Sequence, residues 1–210
     1  MVEPIGFNLK STVFFILFRI YTGVIMRNKF MSLAFSFAVF MLITDSADST
    51  ELVIGEERFN PGIVAIFEGA IKDQIKPASL HLTENLTHVH IEARINWAED
   101  KIPQGTPSGG FVPYLRITAL VTNQSTGLRT FIDLLPHLNL IDNFHYARNI
   151  SLPGNVDDLY TVQFKIVPPA DVELGLHKDW VDTFGKRVFQ ENSFTYEDVD
   201  FSEIASASRR

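Results

Sequence analysis

The segment at residues 87–97 carries side chains that could bind a metal ion. With the two-residue period of a β-strand, it sends His88, His90 and Glu92 to one face and apolar side chains to the other. The Cβ atoms of His90 and Glu92 would lie about 7 Å apart, within reach of one ion. Imidazole beside carboxylate suits copper, iron, nickel or zinc. The alternative is the solvated outer face of a half-buried strand.

The other histidines decide how far this interpretation extends. The chain has six, all beyond residue 80: His81, His88, His90, His137, His145 and His177. By the strand pattern, His137, His145 and His177 fall in loops or at strand ends, and such positions can converge on one end of a β-sandwich. We interpret His81 and His88 as ordinary surface or capping residues.

Composition removes several kinds of site. The 210-residue chain has no cysteine, which excludes disulfides, thiolate zinc sites, thiol nucleophiles and a blue-copper centre. Its formal net charge of −7 disfavours a nucleic-acid partner and favours the attraction of cations. The common hydrolase, phosphate-loop and dinucleotide motifs are missing from the sequence. We therefore expect a binding protein and not an enzyme.

Beyond residue 50, short segments with strand composition alternate with turn signals. Residues 114–121 alternate in polarity and lead through a turn at 123–127 into a second strand at 128–135, which predicts a hairpin. The inward side of a later strand consists of Tyr160, Val162, Phe164 and Ile166. The pattern predicts an all-β fold, an immunoglobulin-like antiparallel β-sandwich in residues 51–205 that follows an N-terminal signal segment.

The first 50 residues have the composition of an export signal. The apolar run at residues 30–43 follows a basic segment and precedes the small, polar stretch at 44–49. This run is short for a membrane span, which needs about 20 residues. We interpret residues 1–50 as a signal peptide with an upstream extension, so that Met26 is the initiator and the remainder is exported. An uncleaved anchor, or a pair of membrane spans, is the alternative.

Five segments of the chain stand in a specific order. They are 87–93, 110–115, Leu135-Pro136 followed by 145–150, 160–168, and His177 ahead of Gly185-Lys186. In order and spacing they resemble the periplasmic iron-transport proteins, and the resemblance covers about residues 51–200. Members of that family are bacterial, signal-bearing, immunoglobulin-like dimers that accompany ferrous-iron permeases of the FTR type.

The resemblance implies a set of metal ligands. His90 and Glu92 match the family's H-x-E pair, and His145 matches the histidine of its H-Y motif. His177 matches a late histidine near the dimer contact, and the sequence leaves open whether it serves its own subunit or a partner. With His137 added, the expected site is His90, Glu92, His137, His145 and His177, holding a copper or iron ion, or both.

His137 is a departure with chemical consequences, because the best-known members place a methionine there. Thioether sulfur is soft and favours Cu(I), whereas imidazole tilts a site toward Cu(II), iron, nickel or zinc. The segment from His137 to His145 is also one residue longer than usual. Ile63 and Ile75 stand where some members carry methionines, so a second sulfur-containing site is not expected, and Asn96 replaces a histidine of some members.

The leading hypothesis is a periplasmic metal-binding protein, homodimeric by the resemblance, that captures iron with copper assistance and delivers it to an inner-membrane iron permease. Binding should weaken below about pH 6, because imidazoles titrate near 6.5. One alternative is a copper-dependent metal oxidase. Another is a secreted structural or adhesion sandwich with incidental histidines, in which the sequons at Asn85, Asn123 and Asn149 would be glycosylated.

Overall fold

The computed structural model describes residues 51–140 and 142–208, and the regular secondary structure there is almost entirely β. The strands in these ranges are β1 (Glu51–Phe59), β2 (Ile63–Ala70), β3 (Val89–Trp97), β4 (Arg116–Asn123), β5 (Arg129–Leu138), β6 (Phe144–Ile150), β7 (Leu159–Val167) and β8 (Asn192–Asp200). Two short helices, α1 (Lys178–Phe184) and α2 (Ser202–Ser206), flank β8. None of the helices described is long and apolar enough to cross a membrane. The predicted signal segment, residues 1–50, lies outside the described residues.

Every described strand pairs antiparallel with its neighbours, in the order β1-β2-β3-β6-β5-β4-β7-β8. Strand β5 belongs to two ladders, because residues 129–134 pair with β4 and residues 135–138 pair with β6. Through this change of partner the sheet folds over on itself and encloses a core between two layers. The prediction of an antiparallel all-β sandwich is confirmed.

The core lies between the two layers and follows the alternation seen in the sequence. The buried apolar side chains of β3 are Val89, Ile91, Ala93, Ile95 and Trp97, and those of β7 are Tyr160, Val162, Phe164 and Ile166. Phe67 of β2 stacks on Phe164 of β7 with ring centroids 4.1 Å apart, so the two layers are joined by aromatic contact. Burial of each large apolar side chain contributes about 1.5–3 kcal/mol, which makes these faces the main source of stability.

The predicted β4–β5 hairpin is present, and its turn depends on one buried asparagine. The Oδ1 atom of Asn123 accepts hydrogen bonds from the backbone N–H groups of Ser125 and Thr126. Gly127 adopts a φ of 74°, a left-handed conformation that favours glycine. Asn123 is fully buried, so its sequon is not accessible for glycosylation.

A long loop connects β2 to β3 and runs beside the first residues of β3. It contains a single 3-10 turn, Glu84–Leu86. The buried Asn149 of β6 fastens the loop, because its Nδ2 atom donates to the backbone oxygens of Asp73 at 2.8 Å and Leu82 at 2.9 Å. The third strand and this loop are therefore held against β6 at one end of the molecule.

Candidate metal centre

Three adjacent strands bring the predicted ligands together. His90 and Glu92 lie on the polar face of β3, and Glu92 stands opposite Ala147 of β6. His145 is two residues before Ala147 and therefore shares that face. His137 of β5 is the cross-strand partner of His145. Antiparallel pairing of β3, β6 and β5 thus gathers residues that are up to 55 positions apart in sequence.

The side chains form a compact group around the carboxyl of Glu92. Each of His90, His137 and His145 offers a ring nitrogen within 4.8 Å of the other two. The Oε1 atom of Glu92 lies 3.5 Å from Nε2 of His90 and 3.9 Å from Nε2 of His145. Metal–nitrogen bonds of about 2.0–2.1 Å require donor atoms no more than about 4 Å apart, so small side-chain rotations would close the group around one ion.

Asn149 fixes the orientation of one ligand. Its amide nitrogen donates to two backbone oxygens, so its Oδ1 atom is an acceptor, and it lies 2.7 Å from Nδ1 of His90. The Nδ1 atom of His90 must then carry the proton, and Nε2 carries the lone pair that faces Glu92. Such a hydrogen bond behind a ligand sets both its tautomer and its ring direction.

Buried polar atoms without partners support the presence of a metal site. His90, Glu92 and His145 are each about 2% exposed, so the interpretation of this face as a solvated surface is wrong. The Oε2 atom of Glu92 and both ring nitrogens of His137 are buried without a hydrogen-bond partner among the described residues. Each unmet group costs about 1–3 kcal/mol. A bound cation would satisfy them, and nitrogen and oxygen donors fit copper or iron.

The charges of the centre favour uptake of a cation coupled to loss of a proton. Burial, aided by the carboxylates of Asp142 and Glu51, raises the pKa of Glu92 to about 8. Burial lowers the pKa of His137 to about 3, aided by the neighbouring His90, and burial also lowers the pKa of His145. At neutral pH these two imidazoles are therefore neutral and ready to ligate, whereas Glu92 must release its proton to do so.

A second group of oxygen donors adjoins the imidazoles. Glu51 of β1, Glu92 and Asp142 each offer a carboxylate oxygen within 4.8 Å of the other two. Asp142 lies in the β5–β6 turn, where its backbone N–H donates to Oδ1 of Asn139. The sequence analysis did not identify Glu51 and Asp142, because neither lies in a motif and only the fold brings them to Glu92.

One further acidic side chain, Glu68, and one basic side chain, Arg94, border this group. Glu68 of β2 stands directly opposite Glu92. Its Oε1 atom accepts a 2.6 Å hydrogen bond from Arg94, which also lies 3.8 Å from Glu51. Burial raises the pKa of Glu68 to about 7 even with Arg94 beside it. Arg94 therefore pairs with Glu68, and Glu92 is left to face the imidazoles.

The structure does not bring His177 to this group within one chain. His177 is exposed and precedes helix α1, whose Trp180 packs against Trp97 at the far end of β3 from His90. Seven residues of strand span about 23 Å. Of the five predicted ligands, four meet and His177 lies elsewhere on the monomer.

The two histidines assigned to ordinary roles behave differently from one another. His88 has a structural role, because its Nδ1 atom accepts a hydrogen bond from the backbone N–H of Leu152. His81 lies beside the centre, and its ring centroid is 4.9 Å from that of His137. The proximity of His81 could not be read from the sequence, because the β2–β3 loop that carries it has no periodic pattern.

Known proteins resemble the chain in sequence and in fold. The sequence profile of a family described as Fe2+ transport protein matches residues 48–203. The 34 kDa membrane antigen of Treponema pallidum (strain Nichols) is 33% identical over 90 residues, which are 43% of this chain and 43% of the antigen. The chain thus matches less than half the length of that curated relative.

Solved structures agree on the architecture. FetP of uropathogenic E. coli superposes with a TM-score of 0.59 at 24% identity, over 71% of this chain and 95% of FetP. The copper-reconstituted P19 protein of Campylobacter jejuni superposes with a TM-score of 0.59 at 27% identity, over 70% of this chain and 94% of P19. At 24% identity, the similarity to FetP supports the fold alone. P19, which is 27% identical to this chain, was solved with copper reconstituted into it.

Proposed function

Because the chain belongs to the Fe2+ transport protein family, we propose that it is a periplasmic metal-binding protein that captures iron, with copper assistance, and delivers it to an inner-membrane iron permease. The observation that carries this proposal is the buried group of His90, His137 and His145 around Glu92, with polar atoms that lack partners. The interpretation of the histidines as incidental surface residues does not account for that burial.

The donor set indicates which ions would bind. Three imidazole nitrogens and one carboxylate oxygen suit Cu(II) and Fe(II), and the copper-reconstituted P19 protein supports copper as one occupant. Four donors from one chain leave room for an exchangeable ligand, which an ion needs in order to enter and leave. The negative charges of Glu51 and Asp142 beside the centre would attract the cation.

A test compares two buried glutamates that face each other across β2 and β3. Equilibrium dialysis of the purified protein against Cu(II) and against Fe(II) at pH 7 should give bound metal that His90→Ala and Glu92→Gln reduce at least tenfold in affinity. Glu68→Gln is the matched control, because Glu68 is equally buried but pairs with Arg94, and it should retain binding. Unchanged affinity in both His90→Ala and Glu92→Gln would exclude this centre.

A homodimer is part of the proposal. Leu138 and Leu140 are exposed and Phe144 is nearly half exposed, at the β5–β6 corner that carries His137 and His145. Exposed apolar side chains next to a functional group mark a docking surface. A second copy seated there would cover these side chains and would supply His177, which its own chain holds away from the centre.

Sedimentation equilibrium tests the dimer. Leu138→Asp should weaken association, whereas Leu128→Asp, a similarly exposed leucine at the other end of β5, should not. If His177 acts across the dimer, His177→Ala should lower metal affinity only at concentrations where the wild type is dimeric. A monomeric wild type at all concentrations would remove both parts of this interpretation.

Delivery to a permease is tested by iron uptake in cells that carry the permease and either the wild type or His90→Ala.

Copper-dependent oxidation of Fe(II) is a second candidate function. The nitrogen-rich group and the oxygen-rich group share Glu92, which would place a copper ion and an iron ion next to each other. One electron would pass from Fe(II) to Cu(II), giving Fe(III) and Cu(I), and dioxygen would accept that electron from Cu(I), giving superoxide and Cu(II). Oxygen consumption on addition of Fe(II) to the copper-loaded protein should exceed that of free copper at equal concentration. Equal rates would exclude the oxidase.

A further inference from the structure

We propose that His81 and His137 form an outer imidazole pair that receives a divalent cation from solvent and passes it to His90, His145 and Glu92. The inference rests on the proposed metal-binding function and adds an uptake step to it. It gives His137 two roles, as a ligand of the outer pair and as a ligand of the buried centre.

The rings lie in a series. The centroid of His81 is 4.9 Å from that of His137, and the centroid of His137 is 5.3 Å from that of His90 and 5.8 Å from that of His145. His81 is outside the group of three whose ring nitrogens all lie within 4.8 Å of one another. His137 therefore stands between the outer imidazole and the buried ones.

Exposure to solvent falls along the same series. His81 and His137 are partly exposed, whereas His90 and His145 are almost completely buried. A cation that approaches from water therefore meets the rings of the outer pair first, and these rings turn to present their nitrogens to it. It can keep part of its hydration shell there, and it sheds that shell only when it reaches the buried carboxyl of Glu92.

The outer pair has nitrogens available for ligation. Nδ1 of His81 and both ring nitrogens of His137 are shielded from water and have no hydrogen-bond partner among the described residues. Loss of such partners costs about 1–3 kcal/mol per group, and a partly exposed ring could avoid that cost by turning toward water. Ligation of a cation is a function that matches this arrangement.

The loop that carries His81 is held at a fixed distance from the buried centre. Asn149 donates to the backbone oxygen of Leu82, the residue after His81, and through Oδ1 it contacts Nδ1 of His90. One side chain therefore positions both ends of the series. Arg148 lies near His81 and His137, and its positive charge disfavours a cation at the outer pair. An uptake position needs this weaker affinity, because it must release the ion inward.

Stopped-flow measurement of Cu(II) uptake by the purified protein tests the inference. His81→Phe keeps a ring of similar size and removes both nitrogens, and it should slow occupation of the buried centre by about tenfold while the final amount of bound copper stays the same. His81→Gln is a second variant for the case in which phenylalanine disturbs the loop. Leu80→Ala, an exposed neighbour on the same loop, should keep the wild-type rate.

The outcomes separate the two proposals. If the wild type binds Cu(II) and both His81 variants load at the wild-type rate, the uptake role of His81 is wrong and the buried centre stands. If the wild type binds no Cu(II), the proposed function itself fails. If Leu80→Ala slows loading as much as His81→Phe, loop conformation rather than ligation controls the rate, and the uptake role is again wrong.

Discussion

Both faces of strand β3 are buried along residues 89–93, yet they use burial in opposite ways. Ile91 and Ile95 face the core and place no polar atom there. His90 and Glu92 face β6 and β5, and Oε2 of Glu92 has no partner among the described residues. The apolar face therefore supplies stability, and the polar face costs stability until a cation arrives. The comparison shows that unpartnered polar atoms, and not burial, distinguish a binding face from a packing face.

The same contrast recurs between two glutamates within the polar face. Glu68 and Glu92 are cross-strand partners and both are almost completely buried. Glu68 is paired with Arg94 at 2.6 Å, whereas the imidazoles of His90 and His145 lie 3.5 and 3.9 Å from Oε1 of Glu92. The Oε2 atom of each glutamate lacks a hydrogen-bond partner among the described residues, so the two differ in their charge partner. Arg94 contacts Glu68, and we expect a bound cation to contact Glu92.

The largest expected difference between the two faces is in their response to metal. Ile91→Ala should lower the free energy of unfolding by about 2–5 kcal/mol, and by the same amount with and without Cu(II), because it removes apolar packing. His90→Ala should lower the ion-free stability by about 1–3 kcal/mol, because Oδ1 of Asn149 loses its partner, and it should also abolish the stabilisation by Cu(II), about 2.7 kcal/mol at 100 times the dissociation constant. Urea unfolding with and without Cu(II) measures both. Equal losses of metal stabilisation in the two variants would show that the faces are not independent.

The polar face should also set the pH dependence of stability. Burial raises the pKa of Glu92 to about 8, so between pH 4.5 and 8 the ion-free folded state holds a proton that the unfolded chain has released. Its stability therefore falls as pH rises through this range. Burial lowers the pKa of His137 to about 3. Between pH 6.5 and 3, His137 therefore binds a proton in the unfolded chain but not in the folded state. Stability falls there as pH falls. The two ranges overlap between pH 4.5 and 6.5, where the two effects offset each other, so the ion-free protein should be most stable there.

Bound metal should reverse the decrease in stability that the ion-free protein shows as the pH rises toward 8. A cation displaces the proton of Glu92, so stabilisation by Cu(II) should grow from pH 6 to pH 8. The sequence-based expectation of weaker binding below pH 6 keeps its direction, but the limiting group becomes Glu92 and not a free imidazole. Thermal unfolding at pH 6 and pH 8, with and without Cu(II), measures the effect. Glu92→Gln should remove the rise, and a rise that persists in this variant would assign it to another group.

The sequence was sufficient for the parts of the site that depend on local pattern. The two-residue period of residues 87–97 separated the core face from the face of His90 and Glu92, and the structure confirms that division. The end of β5 and the start of β6 were also placed correctly by the residues around His137 and His145. Local alternation fixes which face a side chain occupies, because the period of a strand is set by the backbone.

The parts that depend on distant contacts were not predictable in this way. His81 lies near His137 because Asn149 holds the β2–β3 loop by two backbone oxygens, a contact that spans more than 60 residues for Leu82. Asn149 itself was noted as part of a sequon and within the segment 145–150, without a role at the site. His177 was assigned to the site from the family resemblance, and within one chain the fold places it beside helix α1.

A smaller effect is expected at Asn149, because its side chain holds His90 of the polar face in place. Asn149→Ala removes the contact to Nδ1 of His90 and both loop contacts, and it should lower stability by about 1–3 kcal/mol. It should also weaken Cu(II) binding by about 10–100-fold, because the orientation of His90 is lost. Asn123→Ala, a buried asparagine in the β4–β5 turn, is the matched control and should lower stability without changing affinity. A parallel loss of affinity in the control would mean that general destabilisation causes the effect.

The smallest expected effect concerns the kind of ion that the polar face selects. His137 supplies nitrogen at a position where the resemblance places a methionine sulfur, and soft sulfur prefers Cu(I) to Cu(II). His137→Met should therefore shift the ratio of Cu(I) to Cu(II) affinity toward Cu(I) by roughly tenfold, about 1.4 kcal/mol. Stability without metal should change little, because His137 is a partly exposed residue near the end of β5. Competition with a Cu(I)-specific chelator, in parallel with Cu(II) dialysis, measures the ratio. An unchanged ratio would mean that residue 137 lies too far from the ion to set its oxidation state, and the selectivity of the face would then rest on His90, His145 and Glu92.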